Sequence, residues 1–352
     1  MIRKPDSIKK GDTIGITAPS FGAAIEPYSF LIDIAENRIK GRGYNIIEGK
    51  TARMGDGLGI STDPKVTGAE LTDFYKRDDI DAIISAGGGE LMVETISNVD
   101  FEIIKSARPK WFVGYSDNTS FLLPLVTIAN TCGIYGPNIT GYAKEWEGTE
   151  NDAFALLEGT KKVFKGYDKF VKPKEEKEEI DYSKPFVYNC DAKKVLTNYD
   201  CSSKKAEKTD GKVSMQGILL GGCIDVMANM IGTRFDKVAD FVKKCDDKIL
   251  WVIENCELNP MSYRRAIWNM KEAGWFEFEN VGGFIVGRSN GCFDGDMMGV
   301  DRFNALTDLL QDYGAPIIFD ADIGHIDPML PIVMGARADV SADADNLEIR
   351  YL

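Results

Sequence analysis

Histidine is all but missing from this sequence: His325 is the single one in 352 residues. A zinc site needing several imidazoles is excluded, and any mechanism that uses a histidine base has one candidate. No apolar run approaches the ~20 residues needed to span a bilayer. The opening segment, Met-Ile-Arg-Lys-Pro-Asp-Ser-Ile-Lys-Lys, has no signal-peptide apolar core. Positive charge is also short, with 42 Lys and Arg against 55 Asp and Glu and a net charge of −13. That balance argues against nucleic acid and anionic membrane as partners. The seven cysteines are scattered without a Cys-x-x-Cys pair. An odd number with no disulfide or zinc framework fits a reducing cytoplasm.

Two expected signatures of cofactors are absent as well. Gly55-x-Gly57-x-Gly59 is not a dinucleotide fingerprint, because no strand leads into it and no helix follows at the right offset. Asp320, Asp322 and Asp327 lack the spacing of an EF-hand loop. The expectation is an enzyme or binding protein that needs neither cofactor nor metal.

What is present is a chain long enough for two domains, rich in glycine (35 residues) and 44% hydrophobic. Short apolar strands alternate with helical stretches, which indicates an α/β fold with a mostly parallel sheet. Strands are expected near 12–18, 44–47, 82–85 and 111–113, then near 217–222, 248–253, 284–286, 315–319 and 347–351. Helices are expected over 27–40, 69–76, 223–231 and 261–273, and from about 119 to 130. Between 161 and 212 the texture changes to a lysine-rich, charged excursion with little periodicity. The domain expectation is therefore 1–165, a linker over 166–212, and 213–352.

Ligands of parallel sheets gather at the carboxyl ends of strands. Three features fall there. Gly87, Gly88 and Gly89 follow a buried strand, where bare amides can approach a ligand closely. Ser116 follows Trp111-Phe112-Val113-Gly114-Tyr115 and precedes Asp117, Asn118 and Thr119, which can open a helix. Glu254 ends the apolar run Lys-Ile-Leu-Trp-Val-Ile, and His325 lies past Ala-Pro-Ile-Ile-Phe. Serine, a carboxylate and the one histidine are what acyl transfer by a hydroxyl requires. Singly, each has an ordinary reading as a capped turn, a helix cap or a loop histidine, and Glu257 competes with Glu254 for the carboxylate role.

As a set, these motifs resemble the LD-carboxypeptidase family, which takes in muramoyl-tetrapeptide carboxypeptidases and MccF-like microcin C immunity proteins. The resemblance runs through Gly11-Asp12-Thr13-Ile14-Gly15-Ile16-Thr17-Ala18-Pro19, Gly87-Gly88-Gly89 and Gly114-Tyr115-Ser116-Asp117. It continues through Gly221-Gly222, Gly232-Thr233, the strand ending on Glu254, and Gly324-His325 with Pro328 and Pro331. It implies an N-terminal parallel-sheet domain similar to class I glutamine amidotransferases and a C-terminal β-rich, swivelling-barrel-like α/β domain. It also implies a serine carboxypeptidase with Ser116 as nucleophile, His325 as base and Glu254 as the orienting carboxylate. The oxyanion hole would use the Gly88 and Asp117 amides, and Gly87, Gly89 and Tyr115 would contact substrate. The implied substrate is a small peptide such as murein tetrapeptide, or a peptidyl-nucleotide, and the implied assembly is a cytoplasmic homodimer. The excursion lacks the tryptophan that MccF-like members stack on a base, and its aromatic candidates are Tyr182, Phe186, Tyr188 and Tyr199.

Overall fold

A computed structural model of the chain describes residues 2–144, 148–173, 189–292 and 295–352. They form two compact units. One runs to Lys161 and takes in Pro331–Gly335; the other begins at Lys162 and continues to Leu330, then from Ala336 to Leu352. No helix among the described residues is long and apolar enough to cross a membrane.

The first unit is built on a six-stranded sheet. In spatial order its strands are Ile332–Met334, Gly133–Tyr135, Trp111–Gly114, Ala82–Ser85, Thr13–Thr17 and Asn45–Glu48. All neighbours are parallel except Ile332–Met334, which runs antiparallel to Gly133–Tyr135. Ala82–Ser85 and Trp111–Gly114 are buried at every position, as strands covered on both faces must be. The helix expected at 69–76 starts earlier, at Pro64–Lys76. Asp63 caps it by accepting from the Lys65 amide at 2.8 Å, and Pro64 tolerates the first turn, where its missing N–H is not needed. The helix expected to reach about Asn130 closes at Thr127.

The second unit carries a nine-stranded sheet. Its order is Glu207–Thr209, Thr197–Asp200, Ile317–Ala321, Val281–Gly287, Ile249–Glu254, Val213–Cys223, Arg337–Asp343, Asn346–Tyr351 and Val163–Lys165. The four strands from Val213–Cys223 to Ile317–Ala321 are parallel, and antiparallel strands flank them on both sides. Here the expected boundaries need correcting. Val163–Lys165, placed in the first domain by sequence, pairs with Asn346–Tyr351 in this sheet. The described part of 166–212 is not a plain linker either, since Thr197–Asp200 and Glu207–Thr209 are edge strands and Lys169–Phe170 pairs with Ala192–Lys193. Conversely, Ile332–Met334 leaves the C-terminal segment to complete the first sheet.

Lys110 shows how the first unit satisfies a helix end. Its side chain is 1% exposed and donates to the carbonyls of Phe74, Tyr75 and Arg77 at 3.1, 2.5 and 2.6 Å. These are C-terminal carbonyls of Pro64–Lys76 and the residue beyond it, acceptors with no partner inside the helix. Burial pushes the lysine's pKa down to about 8. Lys110→Met removes the donor and leaves buried acceptors unmet, so it is expected to destabilise by about 1–3 kcal/mol. Urea denaturation checks this; a midpoint equal to that of the unsubstituted protein would contradict it.

Candidate functional site

The strand Trp111–Gly114 delivers the chain to Ser116 through Tyr115, which is extended (φ −138°, ψ −176°). Ser116 itself has φ +63°, a left-handed conformation uncommon for a side-chain-bearing residue. Holding it there costs of order 1–3 kcal/mol, so surrounding bonds must fix it. Several do. The Ser116 amide donates to the Tyr135 hydroxyl at 3.2 Å, and the Tyr115 amide to Asn138 Oδ1 at 3.2 Å. Asn118 Nδ2 lies 2.9 Å from the Gly87 carbonyl and 3.0 Å from the Tyr115 carbonyl, so one amide ties the serine turn to the glycine loop. A short 3₁₀ turn, Ser116–Asn118, then opens the helix Thr119–Thr127.

The glycine loop lies against this turn. A Cβ on Gly88 would sit 3.1 Å from Ser116 Cβ and 3.4 Å from its Oγ. The Phe21 amide donates to the Gly88 carbonyl at 3.0 Å. Gly89 backs onto the Ser20 hydroxyl and the Phe21 ring, and the Tyr115 ring meets Tyr135 edge-on at 6.2 Å. Asp117 turns its carboxylate inward, where it is 1% exposed and accepts from Ser20 Oγ at 2.6 Å and the Met92 amide at 2.8 Å. Burial raises its pKa, against those donors. Among the described residues the amides of Gly88 and Asp117 find no acceptor. Ser116, Gly88 and Asp117 are thus brought together within the first unit.

Within the second unit the structure pairs the other two candidates. Glu254 ends a wholly buried strand, is 0% exposed, and its Oε2 lies 3.0 Å from His325 Nδ1. Burial works against the charge on His325, but the Glu254 carboxylate, with a hydrogen bond that the ring donates to the Cys256 sulfur, prevails and raises its pKa well above 6.5. Gly324 (φ +101°) makes the approach possible, because a Cβ there would stand 2.5 Å from Glu254 Oε2. Glu257 is exposed, and its amide, like that of Cys256, donates to the Asp225 carboxylate. Of the two glutamates it is Glu254 that holds the imidazole.

Two of the acidic residues that precede His325 are bound to arginines: Asp322 to Arg288, and Asp320 to Arg302. Tyr199 is not a free stacking platform, since its ring packs edge-on against Phe319 at 5.6 Å. Tyr182, Phe186 and Tyr188 lie outside the described residues. Sequence reasoning missed the polar buttress of Ser20, Asn118, Tyr135 and Asn138. The one signal for it was position, Asn138 lying just past the strand Gly133–Tyr135.

Two family models match the chain: the LD-carboxypeptidase N-terminal domain over residues 14–136 and the LD-carboxypeptidase C-terminal domain over 216–340. A Bacillus subtilis protein named as a probable murein peptide carboxypeptidase is 23% identical over 95% of this chain and 90% of its own. The Escherichia coli microcin C7 self-immunity protein MccF is 22% identical over 96% of this chain and 93% of its own. In fold, the chain matches wild-type apo MccF with a TM-score of 0.77 at 19% identity, covering 99% and 98% of the two chains. It matches the muramoyltetrapeptide carboxypeptidase of Oxalobacter formigenes with a TM-score of 0.68 at 17% identity, covering 96% and 98%. The chain therefore belongs to the LD-carboxypeptidase family of serine-type carboxypeptidases.

Proposed function

We propose that this carboxypeptidase works by a Ser116–His325–Glu254 triad and hydrolyses the bond between an L-diamino acid and a terminal D-alanine in murein tetrapeptide. The observation that carries the reading is the Glu254–His325 hydrogen bond: the chain's one imidazole is held at Nδ1 by a buried carboxylate. A carboxylate so placed fixes the tautomer and stabilises the imidazolium formed when the base takes a proton. The strained turn at Ser116 and the glycine beside its Oγ support the nucleophile's half.

In this reading Ser116 Oγ attacks the scissile carbonyl while His325 takes its proton. The tetrahedral oxyanion accepts from the Gly88 and Asp117 amides, a single such donor being worth on the order of 10²–10³ in kcat. His325 then protonates the departing amine, and water, activated by the same imidazole, releases the acyl group. Gly87, Gly89 and Tyr115 line the approach to Ser116 in this reading. The reading carries with it a cytoplasmic homodimer, and the seven free thiols suit a reducing compartment.

A second substrate class has its own support. MccF has been solved with aspartyl sulfamoyl adenosine and with glutamyl sulfamoyl guanosine. Murein tetrapeptide and a peptidyl-nucleotide offered separately distinguish the two. Release of D-alanine is expected; cleavage of the nucleotide conjugate alone would transfer the chemistry to that class, and cleavage of neither would leave a ligand-binding protein.

On the substrate that is cleaved, Ser116→Ala and His325→Ala should each remove nearly all turnover, and Glu254→Gln should cost ~10⁴ in kcat. Glu257→Gln should be close to unsubstituted. Full activity in Ser116→Ala would end the proposal.

The base must be neutral to accept a proton. Because the folded-state pKa of His325 is raised, the acid limb of kcat/KM should lie above the ordinary histidine value of about 6.5, with activity rising as pH passes through it. The same raised pKa means that the pair's contribution to stability is full below about 6.5 and is lost as pH rises through the folded value. A pH–rate profile with its acid limb at or below 6.5 would contradict the electrostatic assignment.

A further inference from the structure

His325 sits on the loop that follows the strand Ile317–Ala321, and the base of that loop is locked by charges that the proposed mechanism does not use. The Asp322 carboxylate is fully buried, three residues before the histidine. It is ion-paired with Arg288, itself 1% exposed, and lies 3.8 Å from Lys194 Nζ, on a side chain 3% exposed. The Tyr167 amide donates to Asp322 Oδ2 at 3.0 Å. Arg288 also donates to the Asp320 carbonyl at 3.2 Å and stands over the Phe170 ring at 4.5 Å. The loop closes on itself where the Leu330 amide donates to the Asp322 carbonyl at 2.6 Å, and its far side is held by the Val171 amide on the Asp327 carbonyl at 2.8 Å.

Four of these contacts, from Tyr167, Phe170, Val171 and Lys194, come from the charged excursion rather than from the sheet strands that carry the triad candidates. A buried lysine is rare unless paired, and this one lies in a stretch whose other described lysines are exposed. The fit is close: a Cβ on Gly166 would stand 2.3 Å from Asp322 Oδ2 and 2.9 Å from Lys194 Nζ. The chain can pass this point only without a side chain.

We propose that the Asp322–Arg288–Lys194 cluster, clamped by the segment around Gly166–Tyr167, is a positioning device for the His325 imidazole, so that the excursion sets the geometry of the general base. Its kinetic consequence rests on the reading of His325 as that base; its structural consequence does not. Broken ion pairs free the loop base, and Gly324 and His325 shift relative to the Glu254 carboxylate. A displacement of ~1 Å in a catalytic group costs on the order of 10² in rate.

Because His325 is the only histidine, imidazole signals in a histidine-selective ¹⁵N NMR spectrum of the tag-free protein report on it alone. Lys194→Met and, independently, Gly166→Ala should shift or broaden the Nδ1–H signal and lower kcat on the order of 10²-fold with KM little changed. Lys194→Arg should restore both. Folded variants whose imidazole spectrum matches the unsubstituted protein would overturn the proposal, whether or not kcat falls, since a fall alone would mark a merely structural cluster. A changed spectrum in a protein that hydrolyses neither substrate would leave the clamp standing and remove the catalytic reading instead.

Discussion

The 3.0 Å hydrogen bond between Glu254 and His325 is the interaction on which the account depends. A carboxylate with no solvent exposure is costly to bury, and a charge-assisted hydrogen bond to the imidazole offsets part of that cost. The pairing also decides what the imidazole can do. With Nδ1 held by the glutamate, the ring is fixed in place, and the raised pKa makes the imidazole a stronger base. The sheet of the second unit supplies the means: a strand buried at all six positions carries Glu254 to its carboxyl end, and Gly324 lets the histidine loop close over it.

The serine side is organised by a different constraint. Its backbone is held at a positive φ by amides and hydroxyls arriving from Tyr135, Asn138 and the glycine loop. Such strain persists where the surroundings over-determine it, and strain at a serine beside two amides that find no acceptor among the described residues is a reason to look for chemistry there. Asp117 contributes twice in this view. Its carboxylate anchors the turn to Ser20 and Met92, and among the described residues its own amide finds no acceptor.

Much of this was legible in the sequence because it depends on residue type and place. A lone histidine, a serine past an apolar strand and three consecutive glycines need no alignment to be noticed. The choice between Glu254 and Glu257 was not legible, since the alternation of a strand says nothing about which side chain turns inward once the strand has ended. The strand Arg337–Asp343 was missed because its inward residues are Ala338, Val340 and Ala342, small or isolated among charges. The excursion read as a linker because several of its buried members, Lys194, Thr197 and Asn198, are polar, and the apolar ones, Phe170, Leu196 and Cys201, are scattered. Polar burial of this kind leaves no hydrophobic period to detect.

The central claim is that Ser116 is a nucleophile activated by the one imidazole of the chain. It is tested most directly by incubating the protein with a serine-directed phosphonate and mapping the adduct by mass spectrometry. The account predicts one adduct, on Ser116, forming in the unsubstituted protein and lost in His325→Ala. No adduct in the unsubstituted protein, or an adduct on Ser116 that forms equally fast without His325, would contradict it.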